Sequence, residues 1–164
     1  MDLNDTLPHL RLKITNVDSS DLVADAPVAL INYPLNTIFS QCNVVLRDRL
    51  ISQSSTIHPY RSMIETLLSF SEQSLKTQFS AGLIYKDTAG AVDSVVIPHS
   101  PNRGFERRGR FTANSREVHL LGPLHADIFF SKRFLLNSVD LRIKLSRAND
   151  AFALMCPANT NYKL

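Results

Sequence analysis

VDLRIKLSR, residues 139–147, alternates apolar and polar side chains more regularly than any other stretch of the 164-residue chain. Successive side chains of a β-strand point to opposite faces, so this pattern predicts a strand. The apolar members expected to face the core are Val139, Leu141, Ile143 and Leu145. A slip of one residue would bury Arg142 and Lys144 instead, so the register is well specified. The segment predicts an antiparallel sheet with one buried and one solvated face.

Residues 9–15 alternate in the same way and predict a first strand with Leu10, Leu12 and Ile14 inside. Shorter apolar runs predict further strands at residues 42–47, 50–51, 83–85, 92–97, 118–121, 126–130 and 151–155. Roughly eight strands with a polar outer face indicate an antiparallel sandwich or barrel. We therefore predict a mostly β protein.

One or two short helices are expected between the strands. The clearest begins at Pro59, because proline suits the first turn of a helix, where its missing N–H costs nothing. The apolar stripe that follows at helical spacing is Met63, Ile64, Leu67, Leu68 and Phe70. Residues 72–79 and 32–40 predict weaker helices.

The length fits one domain spanning residues 1–164. Its first strand has no preceding partner, and its last apolar run ends near Leu164. Folded proteins avoid open strand edges. We therefore expect a domain that is incomplete at both ends, or one whose edges are covered by partner chains.

Composition excludes several classes of protein. Hydrophobic residues make up 44% and charged residues 20%, which excludes wholesale disorder. Apolar runs fall short of the roughly 18 residues that span a membrane, and the first residues lack the apolar core of a secretion signal. The two cysteines, Cys42 and Cys156, are too few for a disulfide scaffold. We expect a soluble intracellular protein with a net charge of +3.

The best catalytic candidate is His125-Ala126-Asp127, because residues i and i+2 of a strand could both reach one metal ion, as in jelly-roll iron oxygenases. Such a site needs a distal histidine, and no histidine follows His125. His119 lies upstream, beyond a turn at Gly122 and Pro123. Nucleophile motifs and glycine-rich phosphate loops are also lacking. We predict no enzyme activity, no metal and no cofactor.

Residues 98–115 contain two prolines and two glycines and predict an exposed loop. Its arginines are Arg103, Arg107, Arg108 and Arg110. Four guanidinium groups around Phe105 could bind the phosphate backbone of DNA or the acidic groups of a neighbouring subunit. Both interpretations stay open.

Several blocks together resemble the major capsid protein of Maverick/Polinton elements and adintoviruses. They are PYRSMIETLLSF (59–70), YKDTAG (85–90), FTANSREVHLLGPLHADIFF (111–130) and LLNSVDLRIKLSRANDAFALM (135–155), with residues 9–46 fitting the same order. The similarity extends to transposon-derived proteins of animal genomes.

The resemblance implies a double jelly-roll protein, three copies of which form a pseudo-hexameric capsomer of an icosahedral DNA virus. This chain would hold most of the first jelly roll. We therefore expect a structural capsid protein, or a truncated or domesticated copy of one. It should self-associate, contact other capsid proteins and packaged DNA, and act in the virion after assembly in the nucleus. The alternative is a cellular jelly-roll binding module for carbohydrate or protein.

Overall fold

The computed structural model describes residues 2–52 and 56–164; the remainder of the predicted 1–164 domain lies outside the described residues. About 30% of the structure is helical and 21% is strand, and its sheets are small and antiparallel, with two or three strands each. The predicted mostly β jelly-roll sandwich is therefore wrong. Helices and irregular segments occupy much of the chain that the sequence assigned to strands.

The strands are β1 (His9–Leu12), β2 (Thr15–Asn16), β3 (Ala29–Leu30), β4 (Phe39–Leu46), β5 (Arg49–Leu50), β6 (Val118–Leu121), β7 (Leu141–Arg147), β8 (Leu154–Met155) and β9 (Tyr162–Lys163). The α-helices are α1 (Pro34–Thr37), α2 (His58–Ser69), α3 (Glu72–Thr77), α4 (Arg103–Thr112) and α5 (Asp150–Ala153). Short 3₁₀ helices cover Gln78–Gly82, Ala113–Ser115 and Asp127–Phe130.

Strand β7 confirms the strand that the alternating segment predicts. It pairs antiparallel with β4 in a three-stranded sheet with the order β5-β4-β7. Val44 lies opposite Ile143 and is fully buried, whereas Ile143 is 38% exposed. Leu141 and Leu145 are half-buried. The prediction of a fully buried β7 face is therefore too strong. The cluster beneath the sheet covers β4 better than it covers the edge strand β7. It comprises Leu3, Cys42, Val44, Leu124, Ala126 and Phe129.

The predicted strand at residues 9–15 is confirmed over β1, which pairs with β6 so that Leu10 lies opposite Leu120 and Leu12 opposite Val118, but it breaks before β2, which pairs with β9. Leu10 and Leu12 are half-buried, and Ile14 is completely buried. They belong to the larger core cluster, which also contains Leu30, Tyr33, Leu35, Phe79, Leu83, Leu120 and Leu154. The two-stranded sheets β2-β9 and β3-β8 contribute to the same cluster through Tyr162, Leu30 and Leu154.

Helix α2 begins one residue before the predicted position, with proline in its first turn, and α3 begins at Glu72 as predicted. The face of α2 that is buried is not the one that the apolar pattern predicts. Its buried residues are His58, Pro59, Ser62 and Thr66. Its large apolar residues Ile64, Leu67 and Leu68 are exposed.

The predicted exposed loop at 98–115 is wrong, because residues 103–112 form helix α4. The Asn102 side chain caps the helix by accepting a hydrogen bond from the Phe105 N–H at 3.3 Å. Two glycines permit close packing. A Cβ at Gly104 would lie 2.7 Å from the carbonyl oxygens of Lys86 and Tyr85. Because glycine has a low helix propensity, Gly104 and Gly109 made the sequence pattern indicate a loop and not a helix.

Three predicted strands, at residues 83–85, 92–97 and 126–130, are also wrong, and the predicted strand at 151–155 is reduced to β8 because α5 precedes it. Residues 83–85 and 92–97 run without strand pairing beside α4, where the Asn102 amide donates to the Val92 carbonyl at 3.1 Å. Residues 127–130 form a 3₁₀ helix that turns Phe129 into the core. In the first two segments, side-chain hydrogen bonds from Asn32 and Asn102 replace part of the ladder of a neighbouring strand, and in the third, local backbone hydrogen bonds do so.

Candidate functional site

Helix α4 separates the four arginines that the sequence grouped together. Arg103, Arg107 and Arg110 follow one another at spacings of four and three, so they share one face of the helix, and all three are exposed. Arg108 points to the opposite side and is 0% exposed. The structure thus brings three of the predicted residues together at the surface and places the fourth in the interior.

Arg108 connects α4 to β3 and to residues 85–87. Its Nε donates to the Leu30 carbonyl, its Nη1 to the Tyr85 carbonyl and its Nη2 to Asp87 Oδ1, each at 2.9 Å. Burial lowers the pKa of the guanidinium, and the charge of Asp87 opposes that shift. Because its donors are engaged inside the protein, Arg108 is not available to DNA or to another subunit.

An aromatic pair lies beside the exposed arginine face. The rings of Tyr85 and Phe111 are stacked, with centroids 6.0 Å apart and planes at 22°. The Arg107 guanidinium carbon lies 5.9 Å from the centre of the Tyr85 ring, within the range of a cation–π contact. An open pocket of about 420 Å³, here called the basic–aromatic pocket, is lined by Tyr85, Arg107, Arg110, Phe111 and Arg116.

The sequence analysis missed Tyr85, Phe111 and Arg116 as members of this site. Phe111 follows Arg107 by four residues, so a predicted helix would have placed both on one face. Tyr85 and Arg116 come from segments outside α4, and no local pattern connects them to it. The high density of arginine did identify three of the exposed cations.

A second polar cluster surrounds His125, which is buried beneath α2. His125 Nδ1 lies 3.1 Å from Glu65 Oε2, and His125 Nε2 lies 3.1 Å from both the Tyr33 hydroxyl and Thr66 Oγ1. Arg61 Nε donates to Glu65 Oε1 at 2.6 Å. These bonds join the loop before α1, helix α2 and the segment at 124–126.

Protonation in this cluster is shaped by burial. Burial lowers the pKa of His125, although the Glu65 carboxylate opposes the shift, and burial raises the pKa of Tyr33 to about 12. Partial burial works against ionisation of Glu65, but hydrogen bonds from Arg61 and His125 outweigh it and lower its pKa. A neutral His125 that donates through Nδ1 to Glu65 can accept, at Nε2, a hydrogen bond from the Tyr33 hydroxyl.

His125 and Asp127 do not converge as a metal site would require. The His125 side chain is turned inward, whereas Asp127 is turned outward and forms an ion pair with Arg61. The 3₁₀ helix that begins at Asp127 removes the strand geometry on which the metal hypothesis depended. Among the described residues, no group of three His, Cys, Asp or Glu side chains is arranged to hold a metal ion.

The space next to this cluster is small. A cavity of about 50 Å³ is bordered by Cys42, Val44, His58, Arg61, His125 and Asp127. That volume holds one or a few water molecules and no organic substrate. Burial raises the pKa of the Cys42 thiol to about 11, which disfavours the nucleophilic thiolate. The arrangement acts as a buried polar connection between elements.

Comparisons with protein-family models, curated proteins and solved structures yield no match to this chain. In the part of the chain that the structure describes, no helix is both long enough and apolar enough to span a membrane.

Proposed function

We propose that this chain is a structural subunit of a viral capsid that works by associating with further copies of itself. The observation that carries the proposal is the outward face of α2. Tyr60, Ile64, Leu67 and Leu68 are all more than half exposed, and their spacing puts them on one side of the helix. We call these four residues the α2 apolar face. Contiguous exposed apolar surface is typical of association sites.

The inner side of α2 strengthens this interpretation. The helix buries small polar residues and satisfies their hydrogen bonds locally: Ser62 Oγ donates to the Pro59 carbonyl at 2.9 Å, and Thr66 Oγ1 donates to the Ser62 carbonyl at 2.7 Å. The helix is therefore anchored through its polar side. Its larger apolar residues remain free to pack against a partner.

Strand edges offer a second route to association. Within the described residues, β1 pairs only with β6 and β7 pairs only with β4, so each of these two strands has one unpaired edge. Unpaired edges can add a strand from another chain. A capsid subunit uses such surfaces repeatedly, since each copy must contact several neighbours.

The capsid assignment itself is supported by the resemblance of the sequence blocks at 59–70, 85–90, 111–130 and 135–155, and it does not include a jelly-roll sandwich. The resemblance implies trimers. In this proposal the chain has no catalytic role, and it acts in the virion and, during assembly, in the host nucleus. The exposed arginines Arg103, Arg107 and Arg110 then face either a neighbouring subunit or packaged DNA.

Light scattering after size exclusion tests the association of the purified chain. We expect a mass of at least twice the 18.4 kDa of one chain, and three times that mass for a trimer. The double variant Ile64→Lys/Leu68→Lys should be monomeric, because two charges cannot be buried in an apolar interface without a large cost.

The matched control is Phe134→Lys/Leu136→Lys, which adds the same charges at an equally exposed apolar site. It should keep the mass of the unmodified chain. A stable, monodisperse monomer with cooperative unfolding in the unmodified chain would contradict the proposal. Loss of association in the control pair alone would contradict the assignment to α2.

A further inference from the structure

A groove of about 700 Å³ lies between α2 and α4, next to the basic–aromatic pocket. The linings of the two cavities share Tyr85 and Arg107, so the cavities are neighbours, and we call the two together the track. Met63, Leu67 and Phe70 provide an apolar wall of the groove. The cations that border it are Lys76, Lys86, Arg103 and Arg107.

The charge along this track is positive once internal ion pairs are considered. Glu72 and Asp87 also border the groove, but Glu72 pairs with Lys76 at 2.8 Å and Asp87 pairs with the buried Arg108 at 2.9 Å. No carboxylate of the described residues lies within ion-pair distance of Lys86, Arg103 or Arg107. The track therefore presents uncompensated cations to a ligand.

The basic–aromatic pocket contains no acidic residue in its lining. Arg110 pairs with Glu106 at 2.8 Å, yet its side chain remains 70% exposed and can still reach an anion. Arg107, Arg110 and Arg116 surround a Phe111 ring that is 42% exposed. Exposed aromatic rings interleaved with guanidinium groups are the arrangement that binds unpaired bases and their phosphates.

We propose that this track binds single-stranded nucleic acid. One base stacks on Phe111, and its phosphates contact Arg107, Arg110 and Arg116. The strand then continues along the groove past Arg103 and Lys86. A duplex hides its base faces, so it gains nothing from the aromatic pair, and the pocket volume of about 420 Å³ lies in the range of small-ligand sites. A strand is favoured over a free nucleotide because the cations extend beyond the pocket.

This inference goes beyond the proposed function, because the basic–aromatic pocket shares no residue with the α2 apolar face and the groove shares only Leu67 with it. Its readout is nucleic-acid binding, whereas the readout of the proposed function is mass. A monomeric chain that binds single strands would reject association and leave this inference intact.

Fluorescence anisotropy with a labelled oligothymidylate of about 20 nucleotides tests the proposal, because known single-strand sites cover roughly 4–16 nucleotides. The Phe111→Ala variant should bind roughly tenfold more weakly, with an unchanged dependence on salt, because it removes stacking and no charge. Arg107→Gln and Arg116→Gln should each lower the slope of log affinity against log salt by about 0.7.

Two control variants match these changes at other exposed positions. Phe134→Ala removes an exposed ring, and Arg142→Gln removes an exposed charge on β7. Both should bind like the unmodified chain. Equal binding by Phe111→Ala and Phe134→Ala, or equal salt slopes in Arg107→Gln and Arg142→Gln, would overturn the proposal.

Competition identifies the class of ligand. An unlabelled single strand should displace the probe at far lower concentration than a duplex of the same length, thymidine monophosphate or polyglutamate. Equal displacement by the duplex or by polyglutamate would show a nonspecific polyanion surface and overturn the proposal. Equal displacement by the mononucleotide would show a small-molecule pocket and overturn it as well.

Discussion

Helices α2 and α4 both bury residues that their sequences predict to be exposed. The apolar-looking α2 buries Ser62 and Thr66 and exposes Leu68. The charged-looking α4 buries Phe105 and Arg108. Composition therefore does not determine which face of a helix is inside. Ser62 and Thr66 of α2 and Arg108 of α4 all form hydrogen bonds within the protein, whereas the buried Nε2 of His58 in α2 has no partner among the described residues.

The two helices also differ in how their buried polar groups respond to pH. The buried guanidinium of α4 stays charged at all physiological pH values, and its charge is balanced by Asp87. The buried polar side of α2 carries His58 and contacts His125, and both imidazoles can gain a proton. Acid should therefore weaken the packing of α2 much more than that of α4.

The largest expected effect comes from Arg108→Ala in α4. Removing the guanidinium leaves a partly buried Asp87 carboxylate without its ion-pair partner and takes one donor from the carbonyls of Leu30 and Tyr85, of which Tyr85 keeps the Asn32 amide. Breaking a buried ion pair in this way costs about 3–5 kcal/mol of unfolding free energy. The neighbouring Arg107→Ala, at an exposed position, should change it by less than about 0.5 kcal/mol. Urea unfolding followed by circular dichroism measures both, and equal values would reject the internal role of Arg108.

Acid sensitivity should be the next largest effect, and it belongs to α2. Burial, together with the nearby His125, lowers the pKa of His58 from 6.5 to about 4. The unfolded chain therefore binds more protons in this window, so stability falls as the pH drops from about 6.5 to 4. The share from His58 is roughly 2–3 kcal/mol.

Unfolding free energies of His58→Gln at pH 7 and pH 4 test this assignment. The variant should lose markedly less stability on acidification than the unmodified chain. His119→Gln, a change at an exposed histidine, should follow the unmodified chain. An unchanged acid response in His58→Gln would show that the buried side of α2 is not the acid-sensitive element.

Thr66→Val tests whether the inner side of α2 is stabilised by hydrogen bonds. Valine has nearly the same shape and is more apolar, so a core stabilised only by hydrophobic burial would tolerate it. We expect a loss of about 1–2 kcal/mol, because the change removes the contact to His125 Nε2 and the bond to the Ser62 carbonyl. Thr77→Val in α3 is the matched control, since exposed Thr77 makes the same local bond to the Gln73 carbonyl. Similar losses at both positions would contradict the account.

The smallest effect on stability should come from Leu68→Gln. This side chain is 82% exposed, so the free energy of unfolding of the monomer should change by less than about 0.5 kcal/mol. Measured in dilute solution by thermal unfolding, a loss above about 2 kcal/mol would indicate a buried leucine, and the inverted orientation of α2 would then be wrong.

Local patterns predicted the elements whose sequence periodicity is strong. The strands around residues 9–12 and 141–147 and the helix starting at Pro59 are present, because strict alternation and an early proline each specify one backbone geometry. The pairing of β4 with β7 joins residues about a hundred positions apart, and no local signal specifies it. The jelly-roll expectation extended these correct strands into a sandwich that the intervening chain does not form.

The site shows the same division. Arginine density identified the exposed face of α4, but the inward position of Arg108 depends on Asp87 and two distant carbonyls. Asn102 and the two glycines of α4 allow the helix, although they read as loop residues in isolation. The orientation of α2 depends on His125, which lies 59 residues beyond Thr66 in the chain. Only tertiary contacts contain this information.

The central claim is that the α2 apolar face is covered by another copy of the chain, and the reactivity of an introduced thiol tests it most directly. Leu68→Cys and Leu136→Cys place thiols at sites of nearly equal exposure, 82% and 78%, in a chain whose partly exposed Cys156 is replaced by serine. The account predicts that maleimide labelling at position 68 slows as the protein is concentrated, while labelling at position 136 keeps its rate. Equal and constant rates at both positions would contradict it.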